Sequence, residues 1–335
     1  LNFTRDYLVS LDHITPEDLL RVSQRYLSSD QATITSLDPE RTSPVTSTVR
    51  SAGQKSEVTT HLLENGLTLL LRPDPQVPTV SFQGVFHTGR NVETPENCGI
   101  NILHASLLTK GTRNHSEGEF ADRIESLGAN IRASAGNNTS IISSFCLQPD
   151  LLTILGLSGE ALCAPAFEKG SIGREKEIQR ADLLESLQDP LKTSFQLLRE
   201  NLFGYHDYGL PRLGTEKSLD HIDREMLENH HQQFITRHNG VLAVFGDINP
   251  EATVEWCEQA FAGLPQGRKS DAAGTELNEP VSTEITHYLD KEQTVIAIGY
   301  PGAHITSGDI PALEVIHEYC SNMAGPLFTR MREEL

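Results

Sequence analysis

Four absences narrow what this chain of 335 residues can be. No apolar run reaches the roughly 18 residues that a membrane-spanning helix needs. The five cysteines (Cys98, Cys146, Cys163, Cys257 and Cys320) show no C-x-x-C spacing, which excludes a thiolate zinc site and a dense disulfide framework; they read as free, mostly buried thiols. Positive charge is scarce, with 27 Lys+Arg against 46 Asp+Glu and a net charge of −19. Such a chain repels phosphate backbones, so nucleic acid is excluded as a partner, and any cavity lined by that charge would favour basic ligands. The opening LNFTRDYLVSLDHITPEDLL has neither the basic start nor the apolar core of a signal peptide. It also lacks an initiator Met, so the true N-terminus is expected elsewhere and no compartment is read from it.

What is present is globular material for roughly two domains at about 150 residues each. Thr15 as N-cap and Pro16 at the first helical position predict a helix from about Pro16 to Leu27, followed by a short strand over Ala32 to Ser36. The Ser-, Thr- and Pro-rich stretch after it has no periodicity and reads as a linker. Leu62-Leu63, Asn65-Gly66 and Leu67 to Arg72 predict a hairpin with a tight primed turn, and a strand over Thr79 to Thr88 follows. Ser116 with Glu119 is a capping box before a helix carrying Phe120, Ile124 and Leu127. Strands are expected at Asn130 to Ala135 and Ser140 to Leu147, then a helix from Pro149 to Leu162. A long helical region over Arg174 to Phe203 should break near Asp189-Pro190. Asp223 caps a helix to Ile235, Val241 to Phe245 is a buried strand, and Pro250 opens a helix to Phe261. Beyond a second polar stretch, Glu284 to Leu289 and Thr294 to Tyr300 read as strands, Ile310 to Cys320 and Gly325 to Glu334 as helices.

Strand, loop, strand and apolar helix thus recur, and the pattern predicts an α+β fold of tandem modules, each a mostly antiparallel sheet covered by helices on one face. Residues 1–40 close a preceding module and 41–57 link it to a complete module at 58–265. Residues 266–283 form a second linker, and 284–335 begin a following module.

The segments LLENGLTLLLRPDPQVPTV, Lys110-Gly111-Thr112, YHDYGLPRLGTEKSLDHIDREML and NGVLAVFGDINPEA together resemble the insulinase and pitrilysin family of zinc metallopeptidases, which includes the mitochondrial processing peptidases. The resemblance runs over nearly the whole chain and rests on the sum of these segments. Active members carry H-x-x-E-H ahead of Lys-Gly-Thr: two His at i and i+4 on one helix face hold zinc, and the Glu beside them is the general base. Ungapped alignment of GINILHASLLTKGT places Ile102, Ala105 and Ser106 at those positions, and none can bind zinc or take the proton. The family's third ligand, a Glu, falls at Asp182, which reads as a solvated helix residue. Arg332 in AGPLFTRMREEL matches an Arg that contacts substrate in the family; its Tyr partner would lie past Leu335. The small-residue pair before that helix is altered to Ala324-Gly325-Pro326.

No His in the chain has a second His at i+4, so His104 reads as an ordinary histidine, and the adjacent His230-His231 as a solvated helix end. Asn-x-Ser/Thr triplets at Asn2, Asn114, Asn137 and Asn138 are short enough to arise by chance.

The resemblance therefore implies a non-catalytic C-terminal half, or a partner subunit, of a zinc metallopeptidase that cleaves unfolded peptides in an enclosed chamber. This segment would hold no cofactor, and zinc would sit in the preceding half or partner subunit. The expected partners are that catalytic half or subunit and an unfolded, basic peptide, which in this family binds by adding a strand to a sheet edge. The alternative is a proteolytically inactive scaffold of the same fold, acting through assembly.

Overall fold

The computed structural model describes residues 15–17, 20–21, 57–204, 206–267, 283–304, 306–323 and 325–334. The chain divides into two compact units, Leu1–Gln54 and Lys55–Leu335. In the first, residues 16–17 and 20–21 are helical as expected. The rest of that helix and the strand over Ala32 to Ser36 lie outside the described residues.

The second unit is built on one six-stranded sheet. Its strands are β1 (Thr59–Leu62), β2 (Thr68–Pro73), β3 (Thr79–His87), β4 (Asn130–Ala135), β5 (Thr139–Leu147) and β6 (Gly240–Gly246), in the order β1-β2-β6-β3-β5-β4. β2 and β6 run parallel, and every other pair is antiparallel. Alternation of apolar and polar residues selects the buried face. Along β3, Val80, Phe82 and Phe86 point into the core while Gln83 and His87 are exposed.

Helices α1 (Ile100–Leu107), α2 (Glu117–Glu125), α3 (Leu151–Cys163), α4 (Lys169–Gln188), α5 (Pro190–Phe203), α6 (Glu216–His221), α7 (Arg224–Phe234) and α8 (Pro250–Phe261) complete the module. The pair α3 and α8 covers the apolar face of the sheet: Ile154, Leu155, Cys257 and Phe261 are fully buried, and Phe261 stacks on Phe82 with ring centroids 5.4 Å apart. A second core, built from Ile100, Leu103, Leu107, Leu183, Leu219 and Leu227, joins α1, α4, α6 and α7. Each such side chain contributes about 1.5–3 kcal/mol by leaving water. Among the described residues no helix covers the other sheet face, where Phe145, Leu147, Val241 and Phe245 are partly in solvent.

Local signals behave mostly as read. Ser116 accepts from the Glu119 N–H while the Glu119 carboxylate accepts from the Ser116 N–H, a complete capping box. Asp189 ends α4 and caps α5, accepting from Leu191 and Lys192. The first hairpin differs from expectation. Its turn spans Leu63 to Leu67, closed by Gly66 N–H to Leu63 O and Leu63 N–H to Leu67 O. Only Gly66 takes a positive φ, 88°. Asn65 instead uses its side chain, accepting from Leu67 N–H and donating to Phe261 O, so tertiary contact replaces the primed turn.

The expected strands Glu284 to Leu289 and Thr294 to Tyr300 do not form, and among the described residues 283–304 are irregular. Alternation creates an apolar face, but a strand exists only where another strand pairs its N–H and C=O groups, and none of the six lies alongside. Ile296 and Tyr300 are accordingly 80% and 81% exposed. Helix α9 (Ile310–Ser321) forms where expected, and helical turns continue over Pro326–Phe328 and Thr329–Glu334.

Candidate functional site

Helix α1 is held at both ends by polar residues that its neighbours supply. Gly99 sits at its N-cap with φ 91°, where an added Cβ would lie 2.8 Å from Gln179 Nε2 and from Leu213 O. The Glu93 carboxylate is buried and accepts from Gly99 N–H, Asn101 N–H and Asn101 Nδ2. This satisfies first-turn donors that no backbone group can reach and sets a negative charge at the positive end of the helix. Asn101 Oδ1 in turn accepts from Thr88 Oγ1, Gly89 N–H and His230 Nε2, tying α1 to β3 and α7.

Lys110-Gly111-Thr112 closes the other end, and each residue has a physical task. Lys110 Nζ pairs with Glu175 at 3.1 Å and Glu117 at 3.5 Å, and Glu117 also binds Arg174. Gly111 adopts φ 101°. Thr112 Oγ1 donates to Glu160 Oε2 at 2.9 Å and accepts from the N–H groups of Asn114 and His115.

Between these ends the chemistry expected of the family is missing. Ile102 is half-buried, Ala105 is buried, and the half-buried Ser106 donates to Leu103 O at 2.9 Å. Asp182 is exposed on α4. The buried face that α4 turns inward carries Glu175, Gln179 and Leu183, and Gln179 reaches Gly99 O at 3.0 Å. Among the described residues no group of three or more His, Cys, Asp or Glu side chains could hold a metal ion. An alkyl, a methyl and a hydroxyl already committed to its own helix are not zinc ligands, so the residues present do not fit the metal. Arg332 is exposed, with its guanidinium 5.3 Å from the ring centroid of Phe328.

One part of the site was misread in the sequence. His104, His230 and His231 are neither isolated nor solvated; all three are buried and packed together. His104 lies 5.1 Å from His230 and 5.2 Å from His231 between ring centroids, and Phe167 lies 5.7 Å from both His104 and His231, tilted against the first and edge-on to the second. The tautomers follow from the partners. His231 Nε2 faces Leu162 O at 3.0 Å and must donate, so its Nδ1 accepts from His104 Nε2 at 3.0 Å. His104 Nδ1 is thereby left as a lone pair without a partner among the described residues. Burial drives all three imidazoles to the neutral form: His104 well below its ordinary value, with His230 and His231 adding to the effect, His230 to about 3 and His231 to about 4. Phe167 holds a left-handed φ of 43°, a strained backbone kept in place by this packing. The signal was legible: Ile100, Leu103, His104, Leu107 and Leu227, His230, His231, Phe234 each follow i, i+3, i+4, i+7, the spacing of a buried helix stripe.

Comparison with known proteins agrees with the geometry. Residues 68–216 match the family described as insulinase (peptidase family M16), and residues 221–335 match the peptidase M16 inactive domain. An uncharacterized zinc protease of Rickettsia bellii is 24% identical over 284 residues, covering 82% of this chain and 66% of that protein. The mitochondrial-processing peptidase subunit beta of Saccharomyces cerevisiae is 23% identical, over 75% of this chain and 55% of that protein. Among solved structures, a peptidase M16 inactive domain from Pseudomonas fluorescens superposes with a TM-score of 0.71 at 21% identity, over 83% of this chain and 68% of that one. The chain thus spans 66% or less of the length of these two curated relatives.

Proposed function

This chain belongs to the insulinase family of peptidases, family M16, and on that premise we propose that it is a non-catalytic half or partner subunit that positions unfolded peptides for a zinc-bearing half. The observation that carries the reading is α1 itself. Gly99 and the Glu93 cap hold one end of the helix and Lys110-Gly111-Thr112 the other, while Ile102, Ala105 and Ser106 supply neither ligand nor base. A helix so held is a rigid wall for a peptide, and enclosing and orienting a peptide needs no metal.

The uncovered edge of the sheet supplies the docking position. β4 pairs only with β5 among the described strands, and α1 packs beside it. A peptide adding to β4 gains backbone hydrogen bonds along its length and lies near α1. In this reading residues 58–265 are the complete module, 1–40 end a preceding one, and 284–335 begin the next, where Arg332 offers its guanidinium to peptide carbonyls. Zinc and general base come from the preceding half or a catalytic subunit.

The test is zinc analysis and peptide binding on the purified chain. The expected result is less than about one-tenth zinc per chain, a ten-residue unfolded peptide bound, and no hydrolysis. Stoichiometric tightly held zinc with peptide cleavage by the chain alone would overturn the reading. Failure to bind any extended peptide would leave the inactive scaffold instead.

A further inference from the structure

The charge on the chain is not distributed as its net value of −19 suggests. In-out alternation and the strand register assign Asn130, Arg132 and Ser134 of β4 to the uncovered face of the sheet, beside Phe145, Ser143 and Ile141 of β5. Across all six strands, the only charged residues on that face are Arg72 and Arg132; no strand carries a carboxylate there. Asp74 lies past the end of β2, four strands away from β4, where it lines a shallow pocket with Val77 and Phe245. Arg72 is engaged with Phe245, its guanidinium 5.2 Å from the ring centroid. Arg132 is exposed and makes no ion pair among the described residues. A further cation sits at the end of the same strand, where Arg212 Nη2 approaches Ala135 O at 3.5 Å.

We propose that Arg132 is a specificity-determining residue of the β4 edge, selecting extended peptides that place a carboxylate side chain directly across from it. The inference rests on the strand addition at β4 proposed above. A strand laid along β4 alternates its side chains between the two faces. The residue opposite Arg132 has its Cβ about 5 Å away, within reach of a forked guanidinium–carboxylate contact, whereas a Lys or Arg there meets like charge. The residues two positions to either side face Asn130 and Ser134, which carry no charge and accept small polar or apolar side chains. The lane therefore selects against basic peptides even though the chain as a whole is acidic.

The experiment measures fluorescence anisotropy of fluorescein-labelled decapeptides of alternating Ser and Val, with one central Glu, Gln or Lys, on the whole chain. The Glu peptide should bind about three- to tenfold more tightly than the Lys peptide. Arg132→Gln should remove the preference and Arg132→Glu should reverse it, with unchanged thermal melting because the side chain is exposed. A Lys peptide that binds the unaltered chain as well as the Glu peptide does, or a Glu preference that survives Arg132→Glu, refutes the role of Arg132. If all three peptides bind equally and methylation of alternate backbone amides abolishes binding, strand addition stands and only this inference falls. If none binds, both fall.

Discussion

The three buried histidines predict a steep loss of stability between pH 7.5 and 5.5. His104, His230 and His231 are neutral in the folded chain because burial opposes their charge, with His230 held at about 3 and His231 at about 4. Mutual repulsion acts on His104 and His230, and Arg113 pushes His231 the same way. In the unfolded chain each titrates near 6.5, so below that value the unfolded state binds protons that the folded state refuses. Stability from these groups is complete above about pH 6.5 and falls as pH drops towards the folded values. At pH 5.5 each contributes a loss of about 1.4 kcal/mol, and the three together about 4 kcal/mol, against a typical total of about 5–15 kcal/mol. Glu119 and Asp220 are held below their ordinary range by Ser116 and Arg180 respectively, so these two carboxylates stay outside the window. Urea unfolding at a series of pH values is the assay. A free energy that stays level within about 1 kcal/mol from pH 7.5 to 5.5 would refute the neutral cluster. His104→Leu should reduce the drop by about one third, because one of three protons is removed.

Glu93→Ala strips the cap from α1 and leaves the N–H groups of Gly99 and Asn101 buried without their acceptor; a loss of about 2–4 kcal/mol is expected by thermal or urea unfolding, and a loss under about 0.5 kcal/mol would show that the cap is dispensable. Gly246→Ala forces a Cβ to within 2.1 Å of Thr79 O at φ 133°, so it should destabilise by more than about 2 kcal/mol in the same assay, whereas Gly156→Ala on α3 meets nothing within 4 Å and should be neutral or stabilising. In thiol labelling of the native chain, exposed Cys320 should react first. Cys257, buried and pushed up to about 12, should react only after unfolding, and rapid native labelling of Cys257 would contradict the packing of α8 on the sheet.

Short-range grammar made much of the fold legible. Ser116 with Glu119, Asp189 before Pro190, and Pro250 after Asn249 start helices because a side-chain oxygen and a fixed φ act within a few residues, and no distant contact is needed to interpret them. Alternation along Thr79 to His87 and Thr139 to Leu147 separates the core face of the sheet from the other for the same reason. That Ile102, Ala105 and Ser106 carry no metal-binding group was equally visible, since ligand chemistry is a property of residue type.

Longer-range facts were decided elsewhere. Asn65-Gly66 reads as a tight turn until Phe261, 196 residues away, takes the Asn65 amide. The segments from Glu284 to Leu289 and Thr294 to Tyr300 have strand alternation, but pairing requires a neighbour, and no residue in those segments can say whether one is there. His104 and His231 are 127 residues apart in the chain, and only the packing of α7 on α1 brings them to 3.0 Å. Residue type and spacing by themselves determined most of the helices and strands of residues 58–265 and the non-ligating side chains of Ile102, Ala105 and Ser106. The tertiary structure alone decided which groups lose water and meet one another, because burial and contact belong to pairs of elements and not to any one of them.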